Sequence, residues 1–207
     1  MATTNEANAL AAIPAGRIAA IATFLEMRAP APARAEAPAL PGTIRMVERP
    51  AADWYLDLYR RIGADHLWYG RLVLSPARLA ELLDHPDIRL LVLEIDGRAE
   101  GMAELDFRMG TACEMVYFGV SAHLTGSGQA RRLMNRAIPE AFARPIERFF
   151  LHTNTLDHPR ALDFYRRSGF QPVSQAIEIA EDPRLAGLLP MTAAPHVPVF
   201  SPSASRQ

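Results

Sequence analysis

A mixed α/β fold, a single sheet with helices packed on it, follows from three observations. Short runs rich in β-branched and aromatic residues recur at 43–47, 87–95, 98–108, 112–120, 147–152 and 173–179. Helical segments with an apolar stripe, 51–62, 75–83, the stretch from Gly128 to Ala143 and 159–168, stand among them. The order combines three consecutive strands with strands separated by helices. Such a pattern suits a mixed sheet better than a purely parallel one. Six or seven strands and about four helices are expected.

The elements can be justified in order. Residues 1–16 lack periodicity and read as a frayed, flexible N-terminus. Residues 17–28 form an extra strand or helix. Ile18, Ile21, Ala22 and Leu25 fit a helix stripe, while the β-branched content and short length favour a strand, and the segment should pack on the core or on a second copy. Pro30, Pro32, Pro38 and Pro41 among alanines make 29–41 an extended linker. The core domain spans 42–180. Its first helix places Trp54, Leu58 and Ile62 on one face, and Ser75 followed by Pro76 starts the second. Asp96-Gly97 signals a tight hairpin, and Met109-Gly110-Thr111 a second turn. After Gly128, Met134, Ile138 and Phe142 align beside Leu133, Ala137 and Ala141 as a core stripe, with Pro139 expected to kink or shorten the helix. Pro159 is expected at the first position of the last helix, and 181–207 reads as a proline-containing tail.

Composition excludes several functions. The chain has 207 residues and a net charge of -1, so it carries no bulk basic footprint for nucleic acid or an anionic membrane. Cys113 is the single cysteine, which rules out an internal disulfide, and its apolar strand makes it a small buried hydrophobe. No apolar run approaches the roughly 18 residues of a membrane span, and no leader pattern opens the chain. A cytoplasmic protein without membrane attachment is expected. His66, His152 and His158 lack metal-ligand spacing, so no metal is expected.

The chemistry concentrates between Cys113 and Met134. A strand ending in Val120 feeds a turn with Gly126 and Gly128 and then a helix, an arrangement whose free amides and helix dipole favour a bound phosphate. Arg131 and Arg132 in the first turn oppose the dipole, and a bound polyphosphate would justify them. Strict alternation puts Glu114, Val116, Phe118 and Val120 on one face. With a three-residue turn at 109–111, Asp106 faces Glu114 and Glu104 faces Val116, clustering three carboxylates. Crowding and partial burial would raise the pKa of Glu114 and suit it to general-base work, while Glu104 and Asp106 would attract a cationic substrate.

Two motifs then carry a family resemblance. Thr125-Gly126-Ser127-Gly128-Gln129-Ala130 resembles the phosphate loop of the GNAT acetyltransferase superfamily, and His158-Pro159-Arg160-Ala161-Leu162-Asp163-Phe164-Tyr165-Arg166-Arg167-Ser168-Gly169-Phe170 resembles its second signature. The resemblance covers about residues 43–179. It implies a GNAT-like, mostly antiparallel twisted sheet. It also implies acetyl-CoA as donor and direct acetyl transfer to a primary amine, whether a small molecule, a lysine side chain or a protein N-terminus. By resemblance, Val120 binds the pantetheine arm, and Gly126, Ser127, Gly128, Gln129, Ala130 and Arg131 hold the pyrophosphate. Tyr165 stands where the general acid is usual, and Glu114 matches the base used by one branch. Trp68 and Tyr69 lie in the segment that borders the acceptor groove. A homodimer is compatible with the family. Thr125 and His158, which depart from the usual residues, and Pro139 within the helix support the alternative, a non-catalytic acyl-CoA-binding or interaction module.

Overall fold

The computed structural model describes residues 10–201. The seven strands are β1 (Arg17–Met27), β2 (Thr43–Val47), β3 (Ile88–Ile95), β4 (Arg98–Asp106), β5 (Ala112–Val120), β6 (Arg148–Asn154) and β7 (Gln171–Glu181). The helices are α1 (Ala52–Gly63), α2 (Pro76–Asp84), α3 (Gln129–Phe142) and α4 (Ala161–Arg167). All seven strands join one sheet in the order β2-β3-β4-β5-β6-β1-β7, antiparallel except for the β5–β6 pair. The GNAT-like mixed sheet expected from the sequence is therefore present.

Local chemistry explains most element ends. Asp96 and Gly97 both take positive φ (50° and 75°), the geometry of the tight turn that joins β3 to β4. The Ser75 hydroxyl accepts the Arg78 amide at 3.3 Å and caps α2, with Pro76 inside the first turn. In α1 the buried stripe is Tyr55, Leu58, Tyr59 and Ile62, and Trp54 is left half-buried at its edge. This corrects the expected Trp54–Leu58–Ile62 column by one position. The helix α3 continues through Pro139 to Phe142, because Ala137, Ile138 and Ala141 are packed on the sheet and hold its last turn. Pro159 lies outside α4 rather than at its first position. The His158 carbonyl accepts the Ala161 amide in a turn that delays the helix to Ala161.

Two apolar layers sandwich the sheet. On one face α1 and α2 bury Tyr55, Leu58, Leu79 and Leu83 against Leu90, Val92 and Met102. On the other, α3 and α4 cover Leu105, Cys113, Met115, Phe149 and Leu151 with Leu133, Met134, Ala137 and Tyr165. Burial pushes the Cys113 thiol pKa up, which keeps it a neutral apolar filler.

Residues 17–28 form a strand, and that strand is internal. β1 lies between β6 and β7, with Leu25 fully buried and paired to Leu151. The proline-rich segment after it is extended but not free. Its backbone is strapped across α3 by Asn135, Arg131, Arg132 and Gln129. Residues after β7 also pack down: Leu189, Ala193 and Ala194 are buried against Ile18, Leu67 and Ala180. A buried Asp182–Arg184 pair anchors this return. Arg184 also donates to the carbonyls of Ala193, Ala194 and Val197. The frayed start expected over 1–16 lies outside the described residues as far as residue 9, as does the end of the tail from residue 202. No helix among the described residues is long and apolar enough to cross a membrane.

Because β1 supplies the strand pairing that joins β6 to β7 and Leu25 is fully buried in it, Leu25→Ala should destabilise the protein by about 2–5 kcal/mol. A urea titration followed by circular dichroism measures this, and a loss under 1 kcal/mol would contradict the central placement of the strand.

Candidate active site

Two neighbouring strands part company at the middle of the sheet. β5 and β6 pair only from Ala112 to Glu114 against Arg148 to Phe150. Beyond those residues the β6-facing edge of β5 has no strand partner. The gap opens into a cavity of about 610 Å³, lined by Met115 to Val120 on one side and by His152 and Asn154 on the other. Free backbone groups along such an edge are ready to pair with an extended ligand.

A bulge in β5 decides which side chains face where. Leu105 pairs with Met115 and Glu104 with Tyr117, leaving Val116 unmatched. The expected pairing of Glu104 with Val116, and the strict alternation of the strand, are thereby corrected. Cys113, Met115, Phe118 and Val120 pack toward α3 and α4, whereas Tyr117 and Gly119 turn toward α1. Asp106 does pair with Glu114, as the turn length predicted.

The three carboxylates have separate fates. Glu104 is fully buried and is held by the Tyr55 hydroxyl and the Arg71 guanidinium. Burial alone would raise the Asp106 pKa, but the Arg108 side chain (Nη2 to Oδ2, 2.6 Å) and backbone amide hold it below the usual carboxylate range. Neither residue lines the cavity, so the expectation that they form the acceptor surface is corrected: each already has a cation. Glu114 has no ion pair among the described residues. Burial raises its pKa, with His152 opposing that rise and Asp106 adding to it. Glu114 itself stays behind the cavity wall, and His152 lines it.

At one end of the cavity lies the glycine turn. Gly126 and Gly128 have φ of 83° and 94°, a backbone that an L side chain strains to adopt. Thr125, Gly126, Gly128, Ala130 and Arg131 line this end. The Ser127 hydroxyl is committed to the Leu124 carbonyl at 2.6 Å, and the buried Gln129 donates to Pro41 O at 2.8 Å. These two side chains therefore support the loop without facing the cavity. The amides opening α3 have no carbonyl four residues back. Arg34 and Arg167 join Arg131 around this end, Arg160 lines the cavity beside His158, and none of the four forms an ion pair among the described residues.

Tyr165 lies between the two ends. Its ring packs edge-on against Phe118, Phe164 and Phe170, while the residue still lines the cavity. Burial raises the phenol pKa, with Asp157 adding to the effect, so the group keeps its proton. Gly169, just after α4, has φ 103°, and a Cβ there would sit 2.5 Å from the Ala31 Cβ of the strap. The Gly-Phe end of the second motif is thus where the strap passes.

The opposite end is anionic. Asp157 accepts from the Thr153 hydroxyl at 2.7 Å, the Asn154 amide at 3.0 Å and Trp68 Nε1 at 3.4 Å. Glu178 accepts from Asn154 Nδ2 at 3.0 Å and Tyr69 Oη at 3.3 Å. Both carboxylates line the cavity and neither has an arginine partner among the described residues. Sequence reasoning missed them. Glu178 is the one charge in the run 173–179, the same signal that singled out Glu114, and Asp157 sits in the turn preceding His158. Trp68 stacks among Tyr59 and Tyr117 as a packing residue while its edge borders the cavity. No cluster of His, Cys, Asp and Glu among the described residues is placed to hold a metal ion.

A sheet that splits beside a glycine turn and helix start is the frame that comparison with known proteins places in a family. The sequence model of the acetyltransferase (GNAT) family matches residues 50–170, more than half of the chain, and the chain belongs to that family. It is accordingly an enzyme of the acyl-transfer class. A functionally unknown conserved protein from Staphylococcus epidermidis shares the fold with a TM-score of 0.55 at 14% identity, over 81% of this chain and 64% of that one. A GCN5-related N-acetyltransferase from Sphaerobacter thermophilus aligns with a TM-score of 0.52 at 17% identity, over 82% of this chain and 53% of that one. The chain thus spans less than two thirds of the length of either. An aminoglycoside N-acetyltransferase in complex with CoA aligns with a TM-score of 0.50 at 15% identity, over 65% of this chain and 90% of that one. These likenesses establish the fold. No curated protein sequence matches the chain.

Replacing Gly128 by alanine forces a Cβ into its left-handed backbone and should cost about 1–2 kcal/mol. Thermal unfolding checks this. An unchanged melting temperature would mean that the turn tolerates a side chain.

Proposed function

We propose that the protein transfers an acetyl group from acetyl-CoA directly to a primary amine. The observation that carries this reading is the charge separation along one cavity, arginines at the glycine turn and carboxylates at the far end, with the Tyr165 phenol between them. A CoA thioester carries phosphates at one end and a reactive acyl group at the other. An amine acceptor arrives as an ammonium ion. The cavity matches both.

The donor is a substrate whose groups have identifiable receivers. Gly126, Gly128, Ala130 and Arg131 offer backbone amides and a positive helix end to the pyrophosphate. The unpaired edge of β5 around Val120 offers backbone partners to the amide-containing pantetheine arm. Asp157 and Glu178 attract and orient the ammonium, and Trp68 and Tyr69 shape its approach. This reading moves the acceptor surface from Glu104 and Asp106 to these cavity residues.

Transfer needs a free amine, and a primary alkylammonium with pKa ~10.4 must first lose a proton. Glu114, its pKa raised by burial, is the base that receives that proton. The amine nitrogen then bonds to the thioester carbonyl carbon, the C–S bond breaks, the thiolate takes the proton of Tyr165, and the phenolate takes the remaining proton from the acylated nitrogen, which restores the phenol and leaves a neutral amide. Burial keeps the Tyr165 proton on the phenol across neutral pH, so the proton is in place when the thiolate, a much stronger base than water, forms beside it.

Steady-state thiol release from acetyl-CoA across a panel of amines tests the reading. Amine-dependent release supports transfer. CoA binding without release on any amine would instead support a binding module. Tyr165→Phe should lower kcat by about 10²–10⁴-fold with little change in KM for acetyl-CoA, and full turnover in this variant would remove the acid assignment. Because the deprotonated carboxylate is the active form, the rate should rise with pH through the raised pKa of Glu114. Glu114→Gln should abolish that acid limb, and an unchanged pH–rate profile would exclude Glu114 as the base.

A further inference from the structure

Three arginines meet at the glycine-turn end of the cavity, and they come from three separate parts of the chain. Arg131 projects from the first turn of α3, Arg167 from the last turn of α4, and Arg34 from the strap before β2. No carboxylate among the described residues pairs with any of them. The Arg131 guanidinium gives one Nη to Ala35 O at 2.7 Å, while its Nε is buried without a partner. Burial and the charges of Arg131 and Arg167 together lower the pKa of Arg34. Like charges held this close, without a counter-ion, cost free energy unless an anion joins them.

The strap is built to put Arg34 there. Asn135 of α3 grips its backbone on both sides: the Arg34 amide donates to Oδ1 at 3.0 Å, and Nδ2 donates to the Arg34 carbonyl at 2.8 Å. Nδ2 also reaches Glu36 Oε1 at 2.7 Å. Further along, Arg132 donates to the carbonyls of Leu40, Pro41 and Gly42, and Gln129 to that of Pro41. Upstream, Ala31 fills the space beside Gly169. Four prolines restrict the unfolded segment, which lowers the entropy lost on docking. Every clamp acts on the strap's backbone or on Glu36, and the Arg34 guanidinium has no hydrogen-bond acceptor among the described residues.

We propose that the strap is a working part of the donor site, in which Arg34, Arg131 and Arg167 form a three-arginine receptor for phosphate on the nucleotide of CoA. The inference rests on the acyl-CoA reading above and extends it to a segment upstream of the family match. Guanidinium forks bind phosphate oxygens in pairs, and three of them form a receptor distinct in kind from loop amides. Two phosphates of one ligand share this chemistry, the pyrophosphate and the ribose 3′-phosphate.

Calorimetric titration of the full chain with CoA and with 3′-dephospho-CoA tests the proposal. Arg34→Ala should weaken CoA binding about tenfold or more, the size of one charge-assisted contact, and Arg34→Lys should recover part of that loss. The melting temperature of Arg34→Ala should stay near wild type, since the removed group holds nothing in the fold. A deficit that disappears with 3′-dephospho-CoA assigns the receptor to the ribose phosphate, and one that persists assigns it to the pyrophosphate. Wild-type CoA affinity in Arg34→Ala would overturn the role of the strap and leave the donor reading intact. A wild-type chain that binds no CoA would overturn both.

Discussion

Hydrogen bonding between β5 and β6 stops at Glu114 and Phe150, and the chemistry of the molecule is arranged around the interruption. Sheet edges inside a protein are ordinarily paired or covered, because exposed backbone groups in a dry setting are costly. Here the edge is kept open by what flanks it. The β5 bulge at Val116 redirects the following side chains, so Phe118 packs toward Phe164 and Tyr165 while Tyr117 packs among Tyr59 and Trp68. Aromatic groups on both faces thus wedge the strand away from its parallel neighbour. The result is an edge with backbone donors and acceptors on one wall and a phenol on the other.

Charge follows the same division. Within the sheet, acids are neutralised locally: Glu104 by Arg71, Asp106 by Arg108, Asp182 by Arg184. Around the cavity they are not. The arginines collect at the glycine turn and the carboxylates at the far end, each group without opposite charge within its own cluster. The cavity charges, half-buried or exposed, are left without such partners among the described residues.

Much of the fold could be read from the sequence because its signals are local. Asp96-Gly97 marks a turn, Ser75-Pro76 a helix start, and the stripe from Leu133 to Ala141 a packed helix; each depends on residues within a few positions of one another. The errors came where a distant partner decides. Register at Glu104 rests on a bulge that no spacing rule reveals, so two of the three clustered carboxylates were misjudged as substrate contacts when each already had an arginine. The same limit hid the role of 29–41. Its prolines correctly announce an extended chain, but nothing in them says that Asn135 holds it. Asp157 and Glu178 become site residues only once β6, β7 and the aromatic connector are brought together. The glycine turn and the start of its helix were legible, yet the Ser127 hydroxyl bonds the loop's own Leu124 carbonyl and Gln129 turns inward to brace Pro41.

The position of β1 has a consequence for how the chain is made. Arg17 pairs with Glu181 and Leu25 with Leu151, so β1 must wait for the much later β6 and β7 to be synthesised. Until then its apolar residues have no lodging, and the sheet can close only as far as β5. Such long-range pairing slows folding and leaves an adhesive segment exposed in the meantime. Once seated, the same strand holds β7 to the rest of the sheet, so that β7 cannot leave without exposing the buried face of β1.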